Sequence, residues 1–124
     1  MKNILVIEDD PFIRSNIIEV LELSGYKVFT SNNGEDGLSK ALDLNPDLII
    51  CDILMPKMDG YEVKCRLDKN PRTKSTPFIF LTANADMKEL RHGMAVGADD
   101  YITKPFLIAD LLKSIQLRFE KLKE

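Results

Sequence analysis

The stretch that decides the fold is Asp47–Gly60, with the sequence DLIICDILMPKMDG. Its apolar run, Leu48–Cys51, shows no alternation with polar residues, which is typical of a strand covered on both faces in a parallel sheet. The run leads directly to Asp52, and Gly60 allows a tight turn after Met58-Asp59. The stretch therefore predicts a buried strand with a carboxylate at its carboxyl end and a turn beside it.

Similar apolar runs occur along the rest of the chain, at Ile4–Ile7, Pro77–Leu81 and Tyr101–Thr103, with a more alternating run at Tyr26–Thr30 that suits a strand nearer an edge. Segments of helical period separate them: Phe12–Ser24, Asn33–Leu44, Gly60–Asp68, a segment from Asp86 that stops at Gly97, and Leu107–Lys123. This order of strand then helix, five times, predicts an α/β class: a doubly wound, five-stranded parallel sheet with right-handed crossovers and helices on both faces.

Two helix starts carry recognisable signals. Asp10 is expected to be the N-cap of the first helix, with Pro11 as its first residue and Gly25 ending it. Asp86 and Glu89 have the spacing of a capping box before the fourth helix.

Composition limits the function. The chain of 124 residues is interpreted as one domain, 1–124, without repeats, low-complexity stretches or a linker. A net charge of −3 argues against direct nucleic-acid binding, which needs a basic face. The N-terminal apolar run is too short for a signal peptide or a membrane span. Cys51, Cys65 and His92 lack the spacing of a zinc site, and we expect a reducing, cytoplasmic setting.

Polar side chains gather where the strands should end. Ligands of such sheets bind outside the carboxyl ends of the strands. Four of the predicted strand ends supply Glu8, Asp9, Asp52, Thr82 and Lys104, besides the cap at Asp10. A lone threonine in a strand or a lone lysine is ordinarily structural or solvated, but the coincidence at four strand ends favours a functional site.

The chemistry of these side chains points to phosphoryl transfer. Two carboxylates about 4 Å apart repel by roughly 4 kcal/mol at an effective dielectric constant near 20, so Glu8, Asp9 and Asp52 together need a cation. Their hard oxygen ligands suit Mg²⁺. Lys104 would add a second positive contact to phosphate oxygens, Thr82 could donate its hydroxyl to one, and Asp52 could be the nucleophile.

The sequence closely resembles the receiver domains of bacterial two-component response regulators, from Asn3 to about Phe119. The matching stretches are Ile4–Asp10, Asp47–Gly60, Phe80–Ala83 and Gly97–Phe106, which are specific only in combination. The resemblance implies a flavodoxin-like (βα)5 receiver fold with strand order 2-1-3-4-5.

The resemblance also implies a role for each site residue. Asp52 would be the phospho-acceptor, and Asp9 the direct ligand of Mg²⁺, for which Mn²⁺ could substitute. Glu8 would act on the metal mainly through water, and the backbone carbonyl of Leu54 would complete the protein's share of the metal shell.

The remaining positions would transmit and time the signal. Thr82 and Lys104 match the family's switch hydroxyl and phosphate-contacting lysine. Tyr101 matches the aromatic residue that swings inward, and the Lys104-Pro105 bond is expected to be cis. Leu54 and Asn84 would influence how fast water reaches the acyl phosphate.

The resulting hypothesis is a phosphorylation-controlled switch without turnover of an external substrate. A sensor histidine kinase or a histidine phosphotransfer protein would phosphorylate Asp52 in a Mg²⁺-dependent step. The face built from the fourth helix, the fifth strand and the last helix would then change and contact an output domain or a second copy, until the domain dephosphorylates itself. Residues 119–124 are either a frayed end or the start of a linker helix to an output domain.

Three alternatives remain open at this point. An aspartyl-phosphate phosphatase would want an acid just after the nucleophile, where Ile53 and Leu54 stand. A flavin-binding domain would want a phosphate cradle rich in serine, threonine and glycine, which the loops lack. A constitutive interaction module would bind partners whether or not Asp52 is intact.

Overall fold

The computed structural model describes residues 1–83, 92 and 95–122. In chain order these residues form β1 (Asn3–Ile7), α1 (Pro11–Leu23), β2 (Lys27–Ser31), α2 (Gly34–Leu44), β3 (Leu48–Asp52), α3 (Gly60–Asp68), β4 (Phe78–Thr82), β5 (Asp100–Thr103) and the C-terminal helix (Ile108–Leu122). The helix expected from Asp86, with its capping box and Asn84 before it, falls mostly outside these ranges. Within them, one helical hydrogen bond of 3.1 Å joins the Val96 amide to the His92 carbonyl.

The five strands form one parallel sheet in the order β2-β1-β3-β4-β5. This confirms the α/β class and the strand order implied by the resemblance. Because all the strands are parallel, their carboxyl ends lie at the same edge of the sheet, and those of β1, β3, β4 and β5 are neighbours there. The polar side chains that the sequence predicts at the strand ends are expected at this edge.

The core lies on both faces of the sheet. Alternate residues of the central strands point to opposite faces, so Leu5 and Ile49 join one cluster with residues of α2 and α3. Ile4 and Ile50 join the other, with residues of α1 and the C-terminal helix. Every residue of β3 and β4 is buried. Burial on both faces explains why these strands show continuous apolar runs instead of alternation.

The start of α1 agrees with its capping signal, whereas some strand bounds differ. Asp10 caps α1, because its Oδ1 accepts hydrogen bonds from the amides of Phe12 and Ile13 at 2.8 and 3.2 Å. β2 begins and ends one residue later than predicted, since the first ladder hydrogen bond engages Lys27. Asp52 and Thr82 are the last residues of β3 and β4 rather than the first residues after them. Strand pairing therefore fixes the backbone of both.

The C-terminal helix begins at Ile108 and keeps its apolar face on the sheet as far as Phe119. The ring of Phe119 is buried, with its centroid 5.7 Å from that of Tyr26. Phe119 thus belongs to the core, and only the residues after it could extend away as a linker. None of the helices within the described ranges combines the length and the apolar character that crossing a membrane requires.

Candidate functional site

Three carboxylates converge at the edge of the sheet formed by the strand carboxyl ends. Glu8 follows β1, Asp9 comes next in the chain, and Asp52 ends β3. One ligand oxygen from each lies within 4.8 Å of the other two. Glu8 and Asp52 are buried, whereas Asp9 is exposed to solvent. The arrangement leaves an open side at Asp9 through which a ligand could enter.

Lys104 brings a positive charge to the two buried acids. Its Nζ lies 2.5 Å from Glu8 Oε1 and 3.3 Å from Asp52 Oδ1. Lys104 follows β5, and its backbone amide donates a hydrogen bond of 2.6 Å to the carbonyl of Thr82. The Lys104-Pro105 peptide bond is cis, as expected. Pairing between β4 and β5 therefore carries the ammonium to the end of β3.

The electrostatics show that the site is crowded with negative charge. The pKa of Asp52 is raised to about 7, first by burial and then by the neighbouring Glu8, and the ammonium of Lys104 only partly opposes them. Burial alone would lower the pKa of Lys104, but the contacts with Glu8 and Asp52 outweigh it and the pKa is raised. Lys104 is thus firmly protonated, while Asp52 bears an unfavourable charge at neutral pH.

The donor set fits a small hard cation. Glu8 Oε1 is completely buried and lacks a hydrogen bond of good geometry, although it pairs with Lys104. Three carboxylate oxygens with an open side suit Mg²⁺, which prefers oxygen ligands and retains several waters. A divalent cation would also relieve the repulsion that raises the pKa of Asp52.

The loop after β3 is fixed by a close backbone approach. The amide of Gly60 donates a hydrogen bond of 2.9 Å to the carbonyl of Ile53. A Cβ atom added at Gly60 would lie 2.5 Å from the Asp52 carbonyl oxygen, so glycine is required there. The loop presents the side chain of Leu54 to solvent, with 64% of its surface exposed.

The two residues expected to report phosphorylation lie on neighbouring strands. Thr82 is buried at the end of β4, in register with Thr103 of β5. Tyr101 of β5 is half-buried and packs against the core, its ring centroid 6.5 Å from that of Phe80. The ring of Tyr101 is thus partly covered by the core.

The structure adds an aromatic contact that the sequence did not indicate. Tyr61 of α3 packs edge-on against Phe80, with ring centroids 5.1 Å apart, and against His92 at 4.2 Å. Phe80 therefore touches both Tyr61 and Tyr101. The sequence predicts only that His92 does not belong to a zinc site, because no residue spacing signals an aromatic neighbour on another element.

Comparison with known proteins identifies the class. The family model of the response regulator receiver domain matches residues 4–116. The chain belongs to this family, whose members are phosphorylation-controlled signalling switches, and the expectation drawn from the resemblance is confirmed at that level.

Curated relatives align with most of this chain. The DNA-binding dual master transcriptional regulator RpaA of Synechocystis is 40% identical over 116 residues, covering 94% of this chain and 48% of RpaA. Response regulator ArlR of Staphylococcus aureus is 42% identical over 120 residues, which cover 94% of this chain and 52% of ArlR. Protein PilG of Pseudomonas aeruginosa is 37% identical over 113 residues, or 91% of this chain and 84% of PilG. The chain thus spans about half the length of RpaA and ArlR.

Solved structures agree with the fold, and one of them holds a magnesium ion. The chemotaxis protein CheY4 of Vibrio cholerae superposes with a TM-score of 0.88 at 34% identity, covering 94% of this chain and 97% of that one. The receiver domain of a Pseudomonas aeruginosa sensor histidine kinase superposes with a TM-score of 0.86 at 30% identity, covering 93% and 94%. Its structure holds a magnesium ion coordinated in the active-site cleft.

Proposed function

We propose that Asp52 accepts a phosphoryl group, and that the phosphorylated and unphosphorylated domains differ in what they bind. The observation that carries the proposal is the position of Lys104 Nζ between Glu8 and Asp52, beside a third carboxylate at Asp9. One ammonium paired with two buried acids, and an open side, form a site that can hold a cation and a phosphoryl group together.

The chemistry proceeds by displacement at phosphorus. A carboxylate oxygen of Asp52 attacks, the bond from phosphorus to the donor breaks, and the donor leaves with the electron pair. Lys104 would contact the oxygens of the transferred group and offset their charge. Later, water attacks the phosphorus and the acyl phosphate bond breaks with its electron pair on the carboxylate oxygen. Asp52 is regenerated, and inorganic phosphate leaves with the oxygen and a proton of the water. The domain therefore needs no external substrate beyond its donor.

Glu8, Asp9, Asp52 and the backbone carbonyl of Leu54 would hold Mg²⁺, or Mn²⁺ in its place. The bound cation would offset negative charge that develops on the phosphoryl oxygens. Glu8 is paired with Lys104 and completely buried, which supports a contact through water rather than direct ligation. Exposed Asp9 is free to approach the ion directly.

The switch would use Thr82 and Tyr101. A phosphoryl group on Asp52 favours the conformation in which the Thr82 hydroxyl reaches one of its oxygens, and this difference in affinity limits how far the populations shift. The position of Tyr101 would follow that of Thr82. The altered face would include β5 and the C-terminal helix, on which Leu117 is exposed, and it would contact an output domain or a second copy.

The donor would be a sensor histidine kinase or a histidine phosphotransfer protein. An apolar groove beside the site supports docking of such a partner: it runs between α1 and the start of the C-terminal helix, next to Lys104, and is lined by Ile13, Val20 and Phe106. Phe12, near the rim of the site, is 81% exposed. The free thiols of Cys51 and Cys65 support a cytoplasmic setting.

Intact mass spectrometry after incubation with Mg²⁺ and acetyl phosphate tests the proposal. The wild-type chain should gain one phosphoryl mass, and Asp52→Asn, which keeps the side-chain shape, should gain none. An adduct of equal yield in Asp52→Asn, or none in the wild type, would contradict the proposal. Release of phosphate from sugar phosphates well beyond one equivalent would instead indicate a phosphatase.

A further inference from the structure

Arg14 of α1 reaches back to the turn that carries the acidic residues. Its Nη1 donates a hydrogen bond of 2.9 Å to the backbone carbonyl of Glu8. The side chain is half-buried. Neither the proposed chemistry nor the capping of α1 by Asp10 uses this contact.

The hydrogen bond from Arg14 is the last of the contacts that hold Glu8 in place. β1 ends at Ile7, so the Glu8 carbonyl lies beyond the sheet ladder and needs another donor. The Glu8 amide donates to the Ser31 carbonyl at 3.0 Å, and the Glu8 carboxylate accepts from the Asp10 amide at 3.3 Å and pairs with Lys104. With Arg14 on the carbonyl, each polar group of Glu8 is engaged.

Arg14 also holds the residue on the other side of Asp9. Its backbone amide donates a hydrogen bond of 3.0 Å to the Asp10 carbonyl. That backbone bond is the first helical bond of α1 and does not need the arginine side chain, so the guanidinium adds the second restraint, on the Glu8 carbonyl. Asp9 itself is exposed, so the position of its carboxylate depends on the backbone to either side.

We propose that Arg14 is a positioning residue for the metal site: its guanidinium closes the β1–α1 turn so that the carboxylates of Glu8 and Asp9 meet that of Asp52. This inference rests on the proposed function, since it takes the three acids as the cation site. Partners that orient metal ligands commonly contribute about 10- to 100-fold to metal affinity.

Two other roles for Arg14 predict different results. A purely electrostatic role would have the opposite sign, because removing a positive charge from beside three acids strengthens the binding of a cation. A purely structural role would lower the unfolding temperature without changing Mg²⁺ affinity once the protein is folded. The direction of the change in affinity therefore separates positioning from both.

Titration calorimetry with MgCl₂ on the whole chain, without a phosphoryl donor, gives the affinity. Arg14→Ala should weaken Mg²⁺ binding by about 10-fold or more, and Arg14→Lys, which keeps the charge and a single donor nitrogen, should restore part of the loss. Arg72→Ala is the matched control, because Arg72 is exposed in the loop before β4 and its loss changes the net charge equally. The control should bind Mg²⁺ as the wild type does.

Amide hydrogen exchange in the absence of metal provides a second measurement. The amides of Asp9 and Asp10 should exchange faster in Arg14→Ala than in Arg72→Ala. Unchanged or tighter Mg²⁺ binding by Arg14→Ala would overturn the proposal. If the wild type binds no Mg²⁺, the proposed metal site fails, and unchanged exchange at Asp9 and Asp10 would then overturn the role of Arg14 separately.

Discussion

Two nearly buried lysines, Lys64 and Lys104, occupy different regions of the molecule and have different surroundings. Lys64 Nζ lies 2.5 Å from Asp68 Oδ1, one turn further along α3, and 5.8 Å from the ring centroid of Phe78. Lys104 instead pairs with acids from two strand ends that are distant in sequence.

The difference lies in the balance of charge. Lys64 and Asp68 form a neutral pair within one helix, with the carboxylate side chain 36% exposed. Lys104 meets Glu8 and Asp52, with Asp9 close by, so negative charge exceeds the ammonium that pairs with it. A nearly buried cation that pairs with one acid of its own helix is balanced in charge, whereas one outnumbered by converging acids indicates a site prepared for a further cation and an anionic ligand.

The largest effect should come from removing the ammonium at the site. Lys104→Met should slow phosphoryl incorporation from acetyl phosphate by about 100-fold or more, because the developing charge loses a preorganised positive contact. Stopped time points analysed by intact mass give the rate. The matched variant Lys64→Met, also a nearly buried lysine, should retain the wild-type rate per folded molecule. Equal slowing in both variants would contradict the distinction between the two lysines.

The next effect is a pH dependence of the stability of the protein that follows from the raised pKa of Asp52. The pKa of Asp52 is raised from 3.8 to about 7 in the folded state, so folding favours the protonated form. The stability of the metal-free protein should therefore fall as pH rises from about 4 to about 7, and remain reduced above that range. Asp52→Asn should raise the free energy of unfolding at pH 8 by about 1–3 kcal/mol without Mg²⁺.

Urea unfolding of both proteins at pH 5 and pH 8, in a chelating buffer, measures this difference. The two unfolding curves should approach each other at pH 5 and separate at pH 8. A wild type that is as stable as Asp52→Asn at pH 8 would show that the charge on Asp52 does not lower the free energy of unfolding.

A third effect should appear at two glycines. Gly60→Ala would force a Cβ to within 2.5 Å of the Asp52 carbonyl oxygen and should cost about 1–3 kcal/mol, together with altered Mg²⁺ binding. A Cβ added at Gly25 meets no atom within 4 Å, but the backbone there has a positive φ of 93°. Gly25→Ala should therefore lower the free energy of unfolding by about 1 kcal/mol and leave Mg²⁺ binding unchanged. Thermal unfolding with and without Mg²⁺ compares them, and equal Mg²⁺ responses would contradict the role of Gly60.

The smallest effect should come from the lysine away from the site. Lys64→Met should destabilise the fold by about 1–2 kcal/mol at most, because its partner Asp68 is partly exposed and can be hydrated once unpaired. Denaturant unfolding measures the loss. A loss above about 4 kcal/mol would show that the pair behaves as a fully buried ion pair.

The fold could be predicted from the sequence because strands that are buried on both faces have uninterrupted apolar sequences. The uninterrupted run Leu48–Cys51 reflects a strand covered by helices on each side, and Asp10-Pro11 marks a helix start through local hydrogen bonding. The parallel arrangement then carries Glu8, Asp52 and Lys104 to one edge, so their approach to one another followed from topology.

Contacts between distant side chains could not be predicted in this way. The hydrogen bond from Arg14 to the Glu8 carbonyl and the ring contact between Tyr61 and His92 depend on rotamers and on how helices pack. The ends of β3 and β4 at Asp52 and Thr82 depend on ladder hydrogen bonds between strands. The raised pKa of Asp52 depends on its burial beside Glu8, which residue spacing alone does not reveal.

We propose that Asp52 carries the phosphoryl group and that a divalent cation is needed to place it there. Peptide mapping by mass spectrometry after a short incubation with acetyl phosphate, with Mg²⁺ or with a chelator, tests both parts at once. The phosphoryl mass should appear on the peptide containing Asp52, only with Mg²⁺, and should reach one group per chain at most. A phosphoryl group on any other peptide, or equal labelling of Asp52 in the chelator, would contradict this role of Asp52 and of the cation.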